Sequence, residues 1–541
     1  MLADALKSSC GVGRRRTEAI IRSTTFFGII PGMRKRLAIF AVLTLTASAL
    51  VPDAALAAAP ARRVMNVVNF VRGCEPRQEM DLVTPLREEI ALNTANRLPN
   101  TILLQYDAML RDDLMAVAQS ADRDLTEYGV WIETCRQLVE KVGLKWRGRE
   151  GWDWDWYINP GFLMAYTHAE RERLIDEIFR LFREKFGTWP KSVGSWLLDA
   201  HSMDYMVTKY GVKGFCICRE QDNTDAYGLR GGYSNGAYYP SKKNMLSAAT
   251  DMANAVKAPV FRMLTPDPIY NYSDRLAKAA KFGGCPTLEP VWPSGIRKDI
   301  VDWYFRVYTG EGLLNLSYMQ TGQENSFGWE MIGKGLPYQI ERIVALRAAG
   351  TLAVEKLGDT AERFMKDHPQ NCPQTQVALE DWNGREKSVW YNSRFYRANL
   401  HCEGGRLRFR DIHKMCDEFE EPFLDKVCTG WQALYYTPPV VDEHLFKTTG
   451  RYAPLAFAGD CTALAVETPD AETLVVKATV AGRPVTVRFG ERGFAVTGGE
   501  LPSPATDYEF QGFGYSIGVK REQGRMEVRL DRPWAAAGSK F

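Results

Sequence analysis

The chain has 541 residues, of which 45% are hydrophobic, 25% charged and 11% aromatic. These are the fractions of a folded globular protein, and they exclude a disordered polar tail, a collagen-like repeat and a small disulfide-stapled scaffold. The balance of 68 Lys and Arg against 66 Asp and Glu, +2 overall, is too weak a field for nucleic acid or an anionic membrane to be the main partner.

The first segment reads as a leader. Met33 precedes a basic Arg34-Lys35-Arg36, an apolar run from Leu37 to Leu50, and Ala55-Leu56-Ala57, an A-x-A cleavage signal. The run is short for a bilayer span. Residues 1–57, with a signal peptide over 33–57, are therefore expected to be removed. The reading predicts an exported protein, periplasmic or secreted, with no stable membrane span. What remains carries 60 basic and 63 acidic residues, net −3, and ten of the 11 cysteines. Export permits disulfides. Cys74, Cys135, Cys216, Cys218 and Cys285 lie in apolar runs and read as buried thiols. Cys402, Cys416, Cys428 and Cys461 are the disulfide candidates.

From residue 64 short apolar strands alternate with amphipathic helices. Strands are expected at Val67–Val71, Thr101–Gln105, Val130–Ile132, Val193–Leu197, Gly214–Cys218, Pro259–Leu264, Thr287–Leu288 and Leu313–Tyr318. Helices are expected at Leu82–Asn96, Asp113–Glu127, Ala169–Phe186, Asn244–Ala255, Tyr272–Lys281, Lys298–Tyr308 and Pro337–Ala349. Leu174, Ile178, Leu181 and Phe182 keep the spacing of one packed helix face. Eight strands, each followed by a helix, predict a parallel sheet buried on both sides. The fold class is α/β: a (β/α)7–8 TIM-like barrel over 58–370, with a doubly wound sheet as the alternative. No G-x-G-x-x-G follows the first strand, which disfavours a dinucleotide fold. Beyond residue 370 short alternating strands such as Ser388–Asn392, Leu407–Arg410, Thr473–Val480, Pro484–Phe489 and Arg525–Leu530 predict a β-sandwich over 371–541.

A barrel presents its chemistry from the carboxyl ends of its strands. The residues just past each strand include Glu75, Arg77, Asp107, Glu133, Asp199, Asp222, Asp225, Asp267, Glu289 and Glu324. Carboxyls in a dry cleft can be split into a proton donor and an ionised partner, the pair that glycoside hydrolysis needs. Any one of these acids taken alone reads equally as a salt bridge or a helix cap. Glu324 and Asp199 are the first candidates for catalysis, followed by Asp222 and Glu289. Glu324 is flanked by Gln323, Asn325 and Trp329, which suit sugar hydroxyls and a sugar face. Glu75, Arg77, Asp107 and Glu133 complete the expected lining. Trp152-Asp153-Trp154-Asp155 in the loop after the third strand is a further sugar-stacking candidate, or a cluster that packs the loop down. Only His168 and His201 of six histidines fall near the strand ends, and there is no H-E-x-x-H or C-x-x-C. No metal ligand set and no cofactor are therefore expected, with a divalent metal near Asp199 and His201 as the alternative. Gly232-Tyr233-Ser234-Asn235-Gly236 matches G-x-S-x-G by letters but lacks the strand and helix of a nucleophile elbow.

Asn69 through Arg77, Arg219-Glu220-Gln221-Asp222 and Gln323 through Trp329 resemble a group of exported bacterial proteins. That group looks like a branch of the glycoside hydrolase/deacetylase barrel superfamily. The resemblance implies a barrel with a β-rich domain acting on carbohydrate, and it brings no catalytic residues with it. It also departs from the metal-dependent deacetylases, which use an Asp with two His, since no His pair accompanies Asp199. The expected function is hydrolysis of an oligo- or polysaccharide. The alternatives are a carbohydrate deacetylase with an unusual metal site and a non-catalytic glycan-binding barrel. Oligomeric state is left open.

Overall fold

The computed structural model describes residues 60–222, 225–273, 285–444, 455–500, 502 and 518–531. The leader reading of 1–57 lies outside them. The first strand, β1 (Arg62–Val71), is buried almost from end to end. Val64, Val68 and Phe70 pack inward with Leu103, Trp131, Phe261 and Tyr318. Met65 and Val67 pack on the opposite side with Tyr304 and Ile340, and Val71 packs with Leu86. A strand apolar on both faces is what a helix-covered parallel sheet requires.

The sheet continues with β2 (Asn100–Leu104), β3 (Thr126–Trp131), β4 (Ser192–Gly194), β5 (Gly214–Ile217) and β6 (Val260–Arg262), all parallel in that order. On the other side of β1 lies β7 (Leu316–Thr321). A short β8 (Ala353–Glu355) pairs with Val64–Asn66, leaving Val68–Val71 to β2. Past β6, the Thr265 hydroxyl donates to the Gln320 carbonyl (2.8 Å) and accepts from the Gln320 N–H (2.6 Å). The far edge of β6 itself pairs antiparallel with Ala237–Tyr238, so Thr265 links the chain past β6 to β7 where a parallel ladder would close a barrel. Helices α1 (Val83–Ala95), α2 (Asp112–Gln119), α3 (His168–Phe186), α4 (Ala200–Tyr210), α5 (Lys298–Thr309), α6 (Leu336–Ala348) and α7 (Leu357–Asp367) lie between and after the strands. The start of α3 is a capping box between Thr167 and Glu170, and its end is Gly187 at φ 78°.

Three expectations differ from the structure, and a fourth is described only in part. Asn244–Ala248 is a strand paired with Pro240–Ser241, not a helix. All five residues are buried, so the segment has no solvent face for an amphipathic helix. The helix expected to reach Glu127 stops at Gln119, because Asp122 turns the chain (its carboxylate accepts from Asp124 N–H) before β3 begins. Thr287 makes a single antiparallel bridge to Pro266 rather than a parallel strand. Of the helix expected over 272–281, a helical turn at Tyr270–Ser273 is described, and the remainder lies outside the described residues.

The later chain forms one large antiparallel sheet. Its strands are β9 (Gln374–Ala378), β10 (Glu386–Asn392), β11 (Tyr396–Glu403), β12 (Arg406–Lys414), β13 (Pro439–Asp442) and β14 (Leu455–Glu467). They continue with β15 (Leu474–Val480), β16 (Arg483–Gly490), β17 (Gly493–Thr497), β18 (Gly518–Glu522) and β19 (Arg525–Arg529). They pair in chain order, with β13 added beside β12 and the last two exchanged. Tyr391, Phe409, Phe457, Phe489 and Phe494 centre its core. All ten described cysteines are free thiols, so the expected disulfides are absent. Cys416 donates to Glu418 (2.9 Å), Cys428 is buried, and Cys402 and Cys461 hydrogen-bond to each other. No helix among the described residues is long and apolar enough to cross a membrane.

Candidate active site

The carboxyl ends of β1, β3 and β7 meet at Arg72. The loop after β7 keeps pairing with β1: Phe70 N–H donates to Gln323 O (3.2 Å), and Phe70 bridges to Glu324. Gly322, at φ 114°, permits this approach, since a Cβ there would stand 2.0 Å from Val68 O. Asn325 then clamps the corner. It accepts from Arg72 N–H (2.9 Å) and donates to the carbonyls of Arg72 and Leu82 (3.0 Å each). Asn325 is thereby fixed as a positioning residue.

The Arg72 guanidinium donates to Glu133 through Nε (3.0 Å) and Nη2 (2.9 Å), and its Nη1 stands 2.8 Å from Glu324. It also lies 4.0 Å over the Trp154 ring. Burial pulls Arg72 down, but Glu133 and Glu324 outweigh it and hold it above its ordinary value. Glu133 also accepts from Trp131 Nε1 (2.7 Å). Burial nevertheless pushes its carboxyl up to about 7, against the pull of Arg72. The Ser326 hydroxyl donates to Glu324 Oε1 (2.8 Å).

Asp225 lies close enough to this group for the charges of Glu324, Arg72 and Arg77 to act on its carboxyl. It is exposed to solvent. Its carboxyl is raised, first by the protein packed around it and then by the like charge of Glu324, against Arg72 and Arg77. Arg77 pairs with Glu75 and leans over Trp154 (5.4 Å) and Trp156 (5.5 Å). Asp107 is buried and raised by burial, and it accepts from Ala108 N–H (2.8 Å). Asp267 is buried too; it accepts from the backbone of Ile269 and Tyr270 and is pushed up to about 7 by burial.

The other candidates occupy different positions. Glu289 is buried and saturated by Thr287 Oγ1 (2.9 Å), Trp292 Nε1 (3.1 Å) and Gln323 Nε2 (2.6 Å), with burial raising its carboxyl. Gln323 is spent on that bond and on the Glu324 N–H (2.8 Å). Asp199, fully buried, caps α4 through Ser202 N–H (2.9 Å) and pairs with Arg171 (2.9 Å), which ties down the carbonyls of Phe423 and Lys426. None of these partners belongs to the Arg72 group. His201 turns to Glu172 (3.1 Å) and stacks on His168 (centroids 3.7 Å apart), so Asp199 and His201 do not converge on a cation. The Asp222 side chain lies outside the described residues. Trp329 is half-buried and packs among Val291, Ile332 and Leu336.

The aromatic loop is filled by its own cations. The Arg149 guanidinium lies 3.6 Å from the Trp152 centroid and 4.0 Å from that of Trp156, and it pairs with the buried Asp155 (2.6 Å). Asp153 pairs with Arg136 (3.1 Å). Arg72 was not among the sequence candidates, although Glu75 and Arg77 just beyond it were. Its place one residue beyond the strand was the available signal. Two open grooves, of about 320 and 500 Å³, lie elsewhere, one lined by Arg488, Arg492 and Arg529 and the other by Arg173, Asp176 and Trp189.

No family model and no curated protein matches the sequence. Among solved structures, a protein from Parabacteroides distasonis described as a candidate glycoside hydrolase/deacetylase matches with a TM-score of 0.56 and 14% identity. The match covers 71% of this chain and 91% of that one. At this identity the likeness is one of fold. A candidate polysaccharide deacetylase from Mycobacterium smegmatis matches with a TM-score of 0.33 and 10% identity, over 57% of this chain and 96% of its own, too low to bear on the argument. The description of the Parabacteroides protein, glycoside hydrolase/deacetylase, is of the type that the sequence resemblance implied.

Proposed function

We propose that the chain is an exported glycoside hydrolase acting on an oligo- or polysaccharide. Its scaffold would be a (β/α) barrel over 58–370 with a β-sandwich domain over 371–541. The observation that carries the reading is the pairing of Glu324, bound by Arg72 and Ser326, with a raised and solvent-exposed Asp225. In this reading Asp225 donates its proton to the glycosidic oxygen as the C–O bond breaks. Glu324, as carboxylate, either attacks the anomeric carbon or activates the water that does. Arg72 and Arg77 orient the two carboxyls and hydrogen-bond sugar hydroxyls. Deacetylation has less support, since Asp199 is bound by Arg171 and His201 by Glu172.

The test is release of reducing ends from a panel of neutral glycans by the wild type, Glu324→Gln and Asp225→Asn. Each substitution is expected to lower turnover by roughly 10²-fold or more. Unchanged turnover in both variants overturns the site. Acetate released without new reducing ends overturns the reaction class.

A further inference from the structure

A second polar cluster lies where the antiparallel sheet meets the segment after β5, and the carbohydrate reading makes no use of it. Asp411 and His413 are two residues apart on β12, which puts both side chains on one face. Asp442 on β13 stands opposite Asp411 in the strand register. All three are buried to 1% exposure or less. His413 Nε2 lies 3.2 Å from Asp442 Oδ2 and 3.5 Å from Asp411 Oδ2, and one donor atom from each residue falls within 4.8 Å of the others.

We propose that Asp411, His413 and Asp442 form a binding site for one divalent transition-metal ion, Zn²⁺ or Mn²⁺. Ligands about 2.0–2.2 Å from such an ion stand about 3.0–3.5 Å from one another, the spacing seen here. The tautomer agrees. His413 Nδ1 is 3.0 Å from the Thr437 carbonyl, which can only accept, so Nδ1 carries a proton and Nε2 is the ring atom turned to the two carboxylates.

The carboxylates are held by neighbouring donors, as those of metal ligands usually are, and Asp411 Oδ2 itself accepts from Arg397. Tyr272 Oη (3.1 Å) and His444 N–H (3.0 Å) donate to Asp442 Oδ1. Arg397 donates to both oxygens of Asp411 (2.8 and 2.7 Å) and to both of Glu220 (2.9 Å each). Arg397 thus holds Asp411 from one side, while Asp442 stands beside it on the neighbouring strand. One imidazole nitrogen with two carboxylate oxygens favours Zn²⁺ or Mn²⁺ over Ca²⁺ and Mg²⁺, which take all-oxygen sites. Such burial leaves no position open to substrate. The ion is structural: it joins β12 to β13 and, through Arg397 and Glu220, braces the segment after β5. The proposal does not rest on the carbohydrate reading.

The test uses the full chain, stripped with EDTA and desalted, then loaded with Zn²⁺ or Mn²⁺ and assayed for bound metal. One ion per chain is expected. His413→Gln and Asp442→Asn should each weaken binding more than about 10-fold, while His201→Gln leaves it unchanged. Co²⁺ loading adds a readout independent of folding yield: its visible bands should shift or vanish in His413→Gln. No uptake by the wild type, or equal uptake by both ligand variants, overturns the site. So does a nitrogen NMR signal showing both His413 ring nitrogens protonated in metal-loaded protein, since His413 would then be an imidazolium between two aspartates.

Discussion

Two fully buried guanidiniums among the described residues each bridge two carboxylates, and they sit in opposite settings. Arg72 joins Glu133 and Glu324, and Arg397 joins Glu220 and Asp411. Around Arg397 both partners are 3% exposed or less, and His413 and Asp442 back them. Around Arg72 the group reaches water through Asp225 and through Arg77, whose side chain is 43% exposed. Each is a guanidinium held between two carboxylates. What separates a candidate reaction centre from a structural staple is one carboxyl that solvent can reach, next to another fixed by a cation.

The sealed cluster should therefore carry the larger structural load. Arg397→Ala leaves Glu220 and Asp411 buried without their cation, and a loss of about 3–5 kcal/mol is expected from chemical unfolding. A loss under about 1 kcal/mol would mean that water reaches the cluster, and the contrast between the two arginines would collapse.

The parallel sheet was legible because burial on both faces leaves an uninterrupted apolar run, as in β1, and because α3 carries its stop and start signals in Thr167, Glu170 and Gly187. The segment after β5 was not. Asn244–Ala248 is short, mixed in character and buried by tertiary contacts that its own sequence does not show. The strand-end rule named Glu324, Glu133, Glu75 and Arg77, which lie around Arg72 and Trp154 in the structure. It could not show that Asp199 meets Arg171, or that Glu220 meets Arg397 from 177 residues away. Such pairings follow from packing and leave no local spacing to read. Arg149 lying between Trp152 and Trp156 is the same kind of contact, and it favours the packing reading of that loop over sugar stacking.

Glu89 offers a third setting, a sealed carboxyl with no cation. On α1 it is fully buried, and neither oxygen has a hydrogen-bond partner among the described residues. Burial raises its carboxyl well above the ordinary value of 4.5. The unfolded chain gives up this proton near 4.5 and the folded chain holds it, so the stability it contributes is complete below that pH and is lost as pH rises. Glu89→Gln keeps the shape and cannot ionise. The stability difference between variant and wild type should shift in favour of the variant as pH increases, by about 1–3 kcal/mol between pH 4 and pH 8. A difference that stays flat with pH would show that Glu89 is hydrated or paired, and that a cation is not what distinguishes the other two clusters.

The smallest structural effect belongs at the open site. Asp225 is exposed, makes no ion pair among the described residues, and sits against the like charge of Glu324. Asp225→Asn should move the unfolding free energy by no more than about 0.5 kcal/mol, because it removes a repulsion and no buried bond. Its effect should appear in the pH profile. A raised carboxyl stays protonated to higher pH, so wild-type turnover should fall as pH rises through that value, and the residual turnover of the variant should lack this limb. If Asp225→Asn destabilises the fold as Arg397→Ala does, Asp225 belongs to the scaffold, and the proton donor must be sought at Glu133, a raised carboxyl that is bound to Arg72.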